Sequence, residues 1–394
     1  MVGGALTVLL AAGRLAAEAP KVEAVVPRIE SRRPLWINGE GPDGGYAHIG
    51  GPTLVTVDGW LVSIVEGRKR ASDRHDDNAW HDLLFKRSRD QGNHWTPAQV
   101  LYSESGPKHG NASVVIGNAA PVVDRVNRVI ICVMCRNNSH VLLTRSTTQG
   151  DTWSKPVDIT AQVKPIQNQW GWFASTFSGV QLQHGPHAGR LAICSDHIKG
   201  QWAGYPSTME HSGVILSDDH GVSWRPGASM ANASTDECAL AETADGTLVI
   251  NARSCVGAGA AAVKDCGSNN LHPPRDVAHR MLGWSRDGGE HFGRQFLAMD
   301  LVDPVVEGSM LAVDNGTRLL FAHPNSMLDR RNMTLFSSTD KGLSWEVVLQ
   351  IESGGSQYSA MAQLANGSIA LLFDAGGSGA KGGTDHEELV VLTV

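Results

Sequence analysis

Acidic and aromatic side chains recur together in this sequence as Ser-x-Asp-x-Gly-x-x-Trp, a grouping that invites a binding or catalytic reading. The pattern is complete at Ser88–Trp95 and Ser217–Trp224. Ser338–Trp345 matches as well, and variants stand at Ser146–Trp153, where Thr148 replaces the acid, and at Ser285–Phe292, where Phe292 replaces the Trp. A motif that recurs once per structural unit is better explained as a turn. The Asp accepts hydrogen bonds from turn amides, the Gly supplies a positive φ, and the aromatic ring packs between strands. Chemistry is therefore expected from unrepeated polar residues. His184, His187 and His197 are metal-ligand types, but their spacing fits no site, and no pair of CxxC clusters suggests zinc.

Each repeat follows a β-rich run, such as Asp82–Arg87 or Val141–Arg145, and precedes another strand-like stretch. Strand, turn, strand at this spacing implies four-stranded antiparallel blades and a β-propeller, with the turns at the rim and the unrepeated residues where strands converge on the axis.

The unrepeated blocks are Glu66-Gly67-Arg68 with Ser72-Asp73, Gly117–Asp124, Gly179–Leu182 with Gly189–Leu191, Asp236-Glu237-Cys238 with Asn251-Ala252-Arg253, Arg330–Thr334, and Tyr358-Ser359. In this order, and interleaved with the five turns, they resemble the exo-α-sialidase (neuraminidase) family with Asp-box repeats from about Tyr46 to Asp374. The resemblance implies an all-β fold, a six-bladed β-propeller, and retaining hydrolysis of terminal α-linked sialic acids from glycoproteins, oligosaccharides or gangliosides. It implies no cofactor and no metal.

On that resemblance Tyr358 is the nucleophile, Glu237 its base, and Asp73 the acid that protonates the leaving oxygen, with Asp76 and Asp77 as fallbacks. Arg253 and Arg330 would hold the substrate carboxylate, Arg68 would add a contact, and Asn118 falls in the second-blade block. Arg331 competes with Arg330, although spacing to Asn332-Met333-Thr334 prefers Arg330. Adjacent strand residues point to opposite faces, so one of the two should face solvent.

One block departs from the family. Where its first Arg precedes Ile-Pro, this sequence reads Tyr46-Ala47-His48-Ile49-Gly50-Gly51-Pro52, with His48 nearest in register. The Glu that braces that Arg is replaced by Asp374. Loss of one of three carboxylate contacts would cost about 1.5 to 3 kcal/mol, and a protonated His48 would restore part of the charge. The change leaves open a glycosidase for another 2-keto acid sugar (KDN or Kdo type), or a propeller that binds acidic glycans without cutting them.

Composition bounds the rest. The chain has 394 residues, 44 Gly, 11 Trp, 41% hydrophobic and 19% charged residues, enough for one large turn-rich β domain. A formal charge of −7 with no basic cluster argues against nucleic acid as a partner. No apolar run is long enough for a transmembrane segment. Residues 1–40 are expected to be an N-terminal segment and 41–394 the propeller. Gly3–Ala17 is apolar and rich in small residues, as in a leader, but lacks the positive start of a signal peptide. Sequons at Asn111, Asn137, Asn232, Asn315, Asn332 and Asn366, and a Cys255–Cys266 pair around a Gly/Ala-rich loop, lean toward a secretory or lysosomal compartment.

Overall fold

A computed structural model describes residues 26–73, 76, 78–164, 170–199, 210–231, 234–255, 278–327, 329–377 and 385–394. Nearly all of its regular structure is strand, arranged as six four-stranded antiparallel sheets, the blades of a six-bladed β-propeller. Blade 1 holds His48–Val57, Trp60–Arg68, His81–Ser88 and Gln99–Tyr102, from the axis outward. Blades 2 to 5 repeat this order, with inner strands Ile116–Asp124, Trp170–Gln181, Thr235–Glu242 and Ser309–Val313.

Blade 6 takes Ser356–Gln363, Ile369–Ala375 and His386–Thr393 from the C-terminal part of the chain. Its outer strand is Arg28–Ile37, which pairs antiparallel with His386–Thr393 and closes the ring. The propeller thus begins before the expected boundary at residue 41. Arg28–Ile37 finds its partner only more than 300 residues later, so local pattern gives no sign of it.

Both faces of a blade pack against neighbours, so central strands are buried without alternation, as in Trp60–Arg68 and Leu248–Ser254. Outer strands such as Glu346–Gln350 stay largely exposed. The large hydrophobic clusters lie between adjacent blades. Leu35, Trp36, Ile49, Leu61, Leu372 and Leu389 join blade 6 to blade 1, and Ile64, Phe85, Ile116 and Met134 join blade 1 to blade 2. Burial of each such side chain contributes about 1.5 to 3 kcal/mol.

All five repeats connect the third and fourth strands of a blade. At Ser88–Trp95, Gly92 N donates to Ser88 Oγ (2.9 Å), His94 N to Asp90 Oδ1 (2.8 Å) and Trp95 Nε1 to Gly92 O (3.0 Å). Gln91 and Gly92 have φ of 61° and 90°, which the tight turn requires. Thr148 keeps the bond that the acid supplies elsewhere, its Oγ1 accepting from Thr152 N at 2.9 Å, so the variant turn still closes.

Cys132, Cys135, Cys194 and Cys238 are buried free thiols. Cys255 is disulfide-bonded, and Cys266, like the sequon residue Asn232, lies outside the described residues. Among the described residues no helix is long and apolar enough to cross a membrane.

Candidate active site

Strand direction sorts the polar residues. Inner strands all run from one face of the propeller to the other, second strands return, and third strands run out again to the repeat turns. His48, Asn118, Glu237 and Tyr358 stand near the starts of inner strands, and Arg68, Arg253 and Asp374 near the ends of second strands. Asp73 and Arg330 lie in connections between second and third strands. All of these therefore occupy one face, and the repeat turns occupy the opposite one.

Five of the six inner strands also carry an irregularity, four of them near the start. Pairing shifts between Gly50 and Thr53, Gly117 and Ala120, Ser175 and Gly179, Thr235 and Cys238, and Ser356 and Ser359. A bulge re-aims side chains that strict alternation would bury in a blade interface. The residues freed are Gly51, Asn118, Phe177, Asp236 with Glu237, and Gln357 with Tyr358.

At the centre, the Tyr358 hydroxyl donates to Glu237 Oε1 at 2.6 Å. Arg253 Nη1 donates to Glu237 Oε2 and lies 3.4 Å from the Tyr358 hydroxyl, while Arg253 Nε is 3.3 Å from Asp236 Oδ2. Burial, then the negative charge of Glu237, pushes the Tyr358 phenol well above its ordinary pKa, so it stands neutral. Burial opposes the charge of Arg253, but Asp236 and Glu237 outweigh it and hold the guanidinium protonated. Burial raises Asp236 to about 6 against the pull of Arg253, and raises Glu210 to about 10 with Asp236 adding to the effect.

Arg330 and Arg331 point to different surroundings. The Arg330 guanidinium lies 5.8 Å from the Tyr358 ring centre and donates to Gln357 Oε1 (2.9 Å) and Val305 O (2.8 Å). A guanidinium has five N–H donors, so these two bonds leave a fork for an anion. Arg331 is exposed and donates to Ser353 O at 3.3 Å.

Asp73 ends a single 3-10 turn, Ala71–Asp73, and is buried. Ser72 Oγ donates to its Oδ1 (3.0 Å) and Arg70 N to its Oδ2 (3.2 Å), while Arg68 Nη1 reaches its backbone carbonyl at 3.4 Å. Asp76 is exposed and accepts from Asn78 N in a local turn; Asp77 lies outside the described residues. His48 is the cross-strand partner of Arg68, so both side chains occupy one face of blade 1. Asn118 has φ 54°, gives its backbone N–H to Glu66 Oε1 at 2.5 Å, and donates from Nδ2 to Asn138 Oδ1 at 3.1 Å. Asp374 Oδ1 accepts the Gly51 N–H at 3.3 Å.

Several residues here escape sequence reasoning. Phe177 adopts φ 44°, a strained setting for a bulky side chain, and its ring lies 5.5 Å from that of Tyr358. A cavity of about 670 Å³ runs along the axis behind this point, lined by Phe177, Glu307, Ser309 and Ser359 and reaching Asp58 and Asn315 near the opposite face. Glu307 is buried there and accepts the Ser359 N–H at 3.0 Å; burial raises it to about 8. Asp236 adjoins the matched Glu237 but the resemblance gives it no role, and Glu210 and Glu387 sit in strands whose only signal is a carboxylate at a position that packs inward. The histidines weighed as metal ligands are dispersed: His184 meets Glu242 through its backbone, and His197 stacks on His211 with 5.8 Å between ring centres. No three His, Cys, Asp or Glu side chains are grouped to hold a metal ion among the described residues.

Residues 72–371 match the BNR repeat-like domain family. The sialidase of Micromonospora viridifaciens is 28% identical over 361 residues, covering 84% of this chain and 50% of the relative. The sialidase of Bacteroides fragilis is 25% identical over 378 residues, covering 88% and 63%. This chain therefore spans about half to two thirds of the length of these two relatives. The structure of the Hadza microbial sialidase Hz136 superposes with a TM-score of 0.69 at 23% identity over 88% of this chain and 66% of that one, a likeness of fold.

Proposed function

Because the chain belongs to the BNR repeat-like domain family, we propose that it works as an exo-α-sialidase, releasing terminal α-linked sialic acid from glycans with retention of configuration. The observation that carries this reading is the 2.6 Å hydrogen bond from the Tyr358 hydroxyl to Glu237, with Arg253 against both.

A sialic acid bears a carboxylate on its anomeric carbon, so a carboxylate nucleophile would be repelled by the substrate. A neutral phenol avoids this, and sialidases are the known tyrosine case among glycosidases. In the first step Glu237 takes the phenolic proton as the Tyr358 oxygen bonds to the anomeric carbon, and Asp73 protonates the departing oxygen. Water then attacks with Asp73 as base, Tyr358 leaves, and Glu237 returns the proton. Arg253 offsets negative charge at Glu237 and at the phenolic oxygen while the proton moves. Arg330 receives the substrate carboxylate on its free fork, with Arg68 as a further contact. Acid, base and nucleophile all come from side chains, so this chemistry calls for no cofactor.

The test is release of 4-methylumbelliferone from its α-sialoside by wild type, Tyr358→Phe and Asp73→Ala. Turnover should fall by about 10²-fold or more in each variant. Equal turnover in all three overturns the assignment. His48, nearest to where a first arginine is expected, and the bulge after Gly50 that follows it favour running the KDN and Kdo glycosides in parallel, since a pocket with one cation fewer could select a different acidic sugar.

A further inference from the structure

Asp374 and Glu387 are cross-strand partners on the second and third strands of blade 6, so their side chains lie on the same face of the sheet. Asp374 is 4% exposed and Glu387 0% exposed. Neither Glu387 carboxylate oxygen meets a hydrogen-bond donor among the described residues. An ionised carboxylate only accepts hydrogen bonds, so an ionised Glu387 out of water would have no donor and would repel an ionised Asp374 beside it. One proton between them satisfies both.

We propose that Asp374 and Glu387 share a single proton, donated by Glu387, and that Glu387 is thereby the positioning residue of the substrate-facing wall. Held by that proton, Asp374 stays directed at the Gly51 N–H, which it accepts at 3.3 Å, and so fixes the bulge at the start of blade 1. Burial raises both carboxyls, and the neighbouring carboxyl adds to the effect on Glu387. The other groups facing the pair agree with one negative charge there rather than two. Arg330 and Arg68 act on Asp374 from blades 5 and 1, and buried Glu307 opposes its ionisation. His48 opens the strand that carries Gly51. On the flanking strand the partner of Glu387 is Trp36; Lys86, over the Trp36 ring, is engaged by Glu40 and the Leu35 carbonyl. A second negative charge would cancel more of the field that Arg68 and Arg330 present to an anion. That consequence rests on the sialidase reading; the shared proton does not.

The test separates the two. Urea unfolding of the full chain is followed across about pH 5 to 8 for wild type and Glu387→Gln. The folded wild type holds a proton that an unfolded Glu has released, so raising the pH should destabilise wild type relative to the variant. The ratio of their unfolding constants should change about tenfold per pH unit. Asp374→Asn, whose amide can donate to an ionised Glu387, should remove the same slope. A ratio independent of pH in both variants overturns the shared proton, whether or not the protein cleaves sialosides. If the ratio behaves as expected, KM for the α-sialoside should stay within about twofold in Glu387→Gln, which keeps the donor, and rise about tenfold with little change in kcat in Glu387→Leu, which loses it. Equal KM in the two variants would remove the positioning role while leaving the proton in place.

Discussion

A phenol becomes a useful nucleophile only when its proton has somewhere to go, and the Tyr358 hydroxyl donates to Glu237. The cost is a crowded set of charges: Asp236, Glu237 and Arg253 are in mutual contact, and Glu210 joins them as a carboxyl raised to about 10. Arginine placement gives a sharp contrast between neighbours. Arg330→Ala removes a guanidinium beside Tyr358 and should raise KM about tenfold to a hundredfold, the worth of a charge-assisted pair. Arg331→Ala removes an exposed side chain and should leave kcat/KM within about twofold. Similar losses in both would contradict the separation. Residue types and block order were enough to group Tyr358, Glu237 and Arg253, which stand in contact in the structure. The charged residues around them were not legible, because Glu210 and Glu387 join the site only through partners on other strands.

Bulges decide which side chains reach the axis. Gly51 illustrates the constraint: its φ is 64°, and an added Cβ would stand 3.1 Å from the Phe177 ring. Gly51→Ala should therefore destabilise the fold by about 1 to 3 kcal/mol and displace Phe177 from Tyr358. Urea unfolding with parallel kinetics reads both effects, and a variant as stable and active as wild type would show that the Phe177 packing is dispensable. The repeat turns were legible because their chemistry is local, a Ser, an Asp and a Gly within five residues closing their own bonds. Bulges were not, since they are defined by register against a second strand. Phe177, in a sequence run Trp170–Gln181 that reads as ordinary strand, gave no local sign of its left-handed backbone.

Across the whole molecule, the ring divides labour between its faces. Repeat turns hold the blades on one face, and the starts of inner strands present unrepeated polar groups on the other. Closure depends on Arg28–Ile37 pairing with His386–Thr393, which fixes blade 6, and with it Tyr358 and Asp374, against blade 1 and its Arg68 and Asp73. The central claim is that this closed ring aims one tyrosine at an anomeric carbon. Its most direct test is to trap the glycosyl-enzyme with a fluorinated sialosyl fluoride and locate the adduct by peptide mass spectrometry. An adduct on the peptide carrying Tyr358, absent from Tyr358→Phe, is the expected result; an adduct on Asp73, Glu237 or any other residue would contradict it.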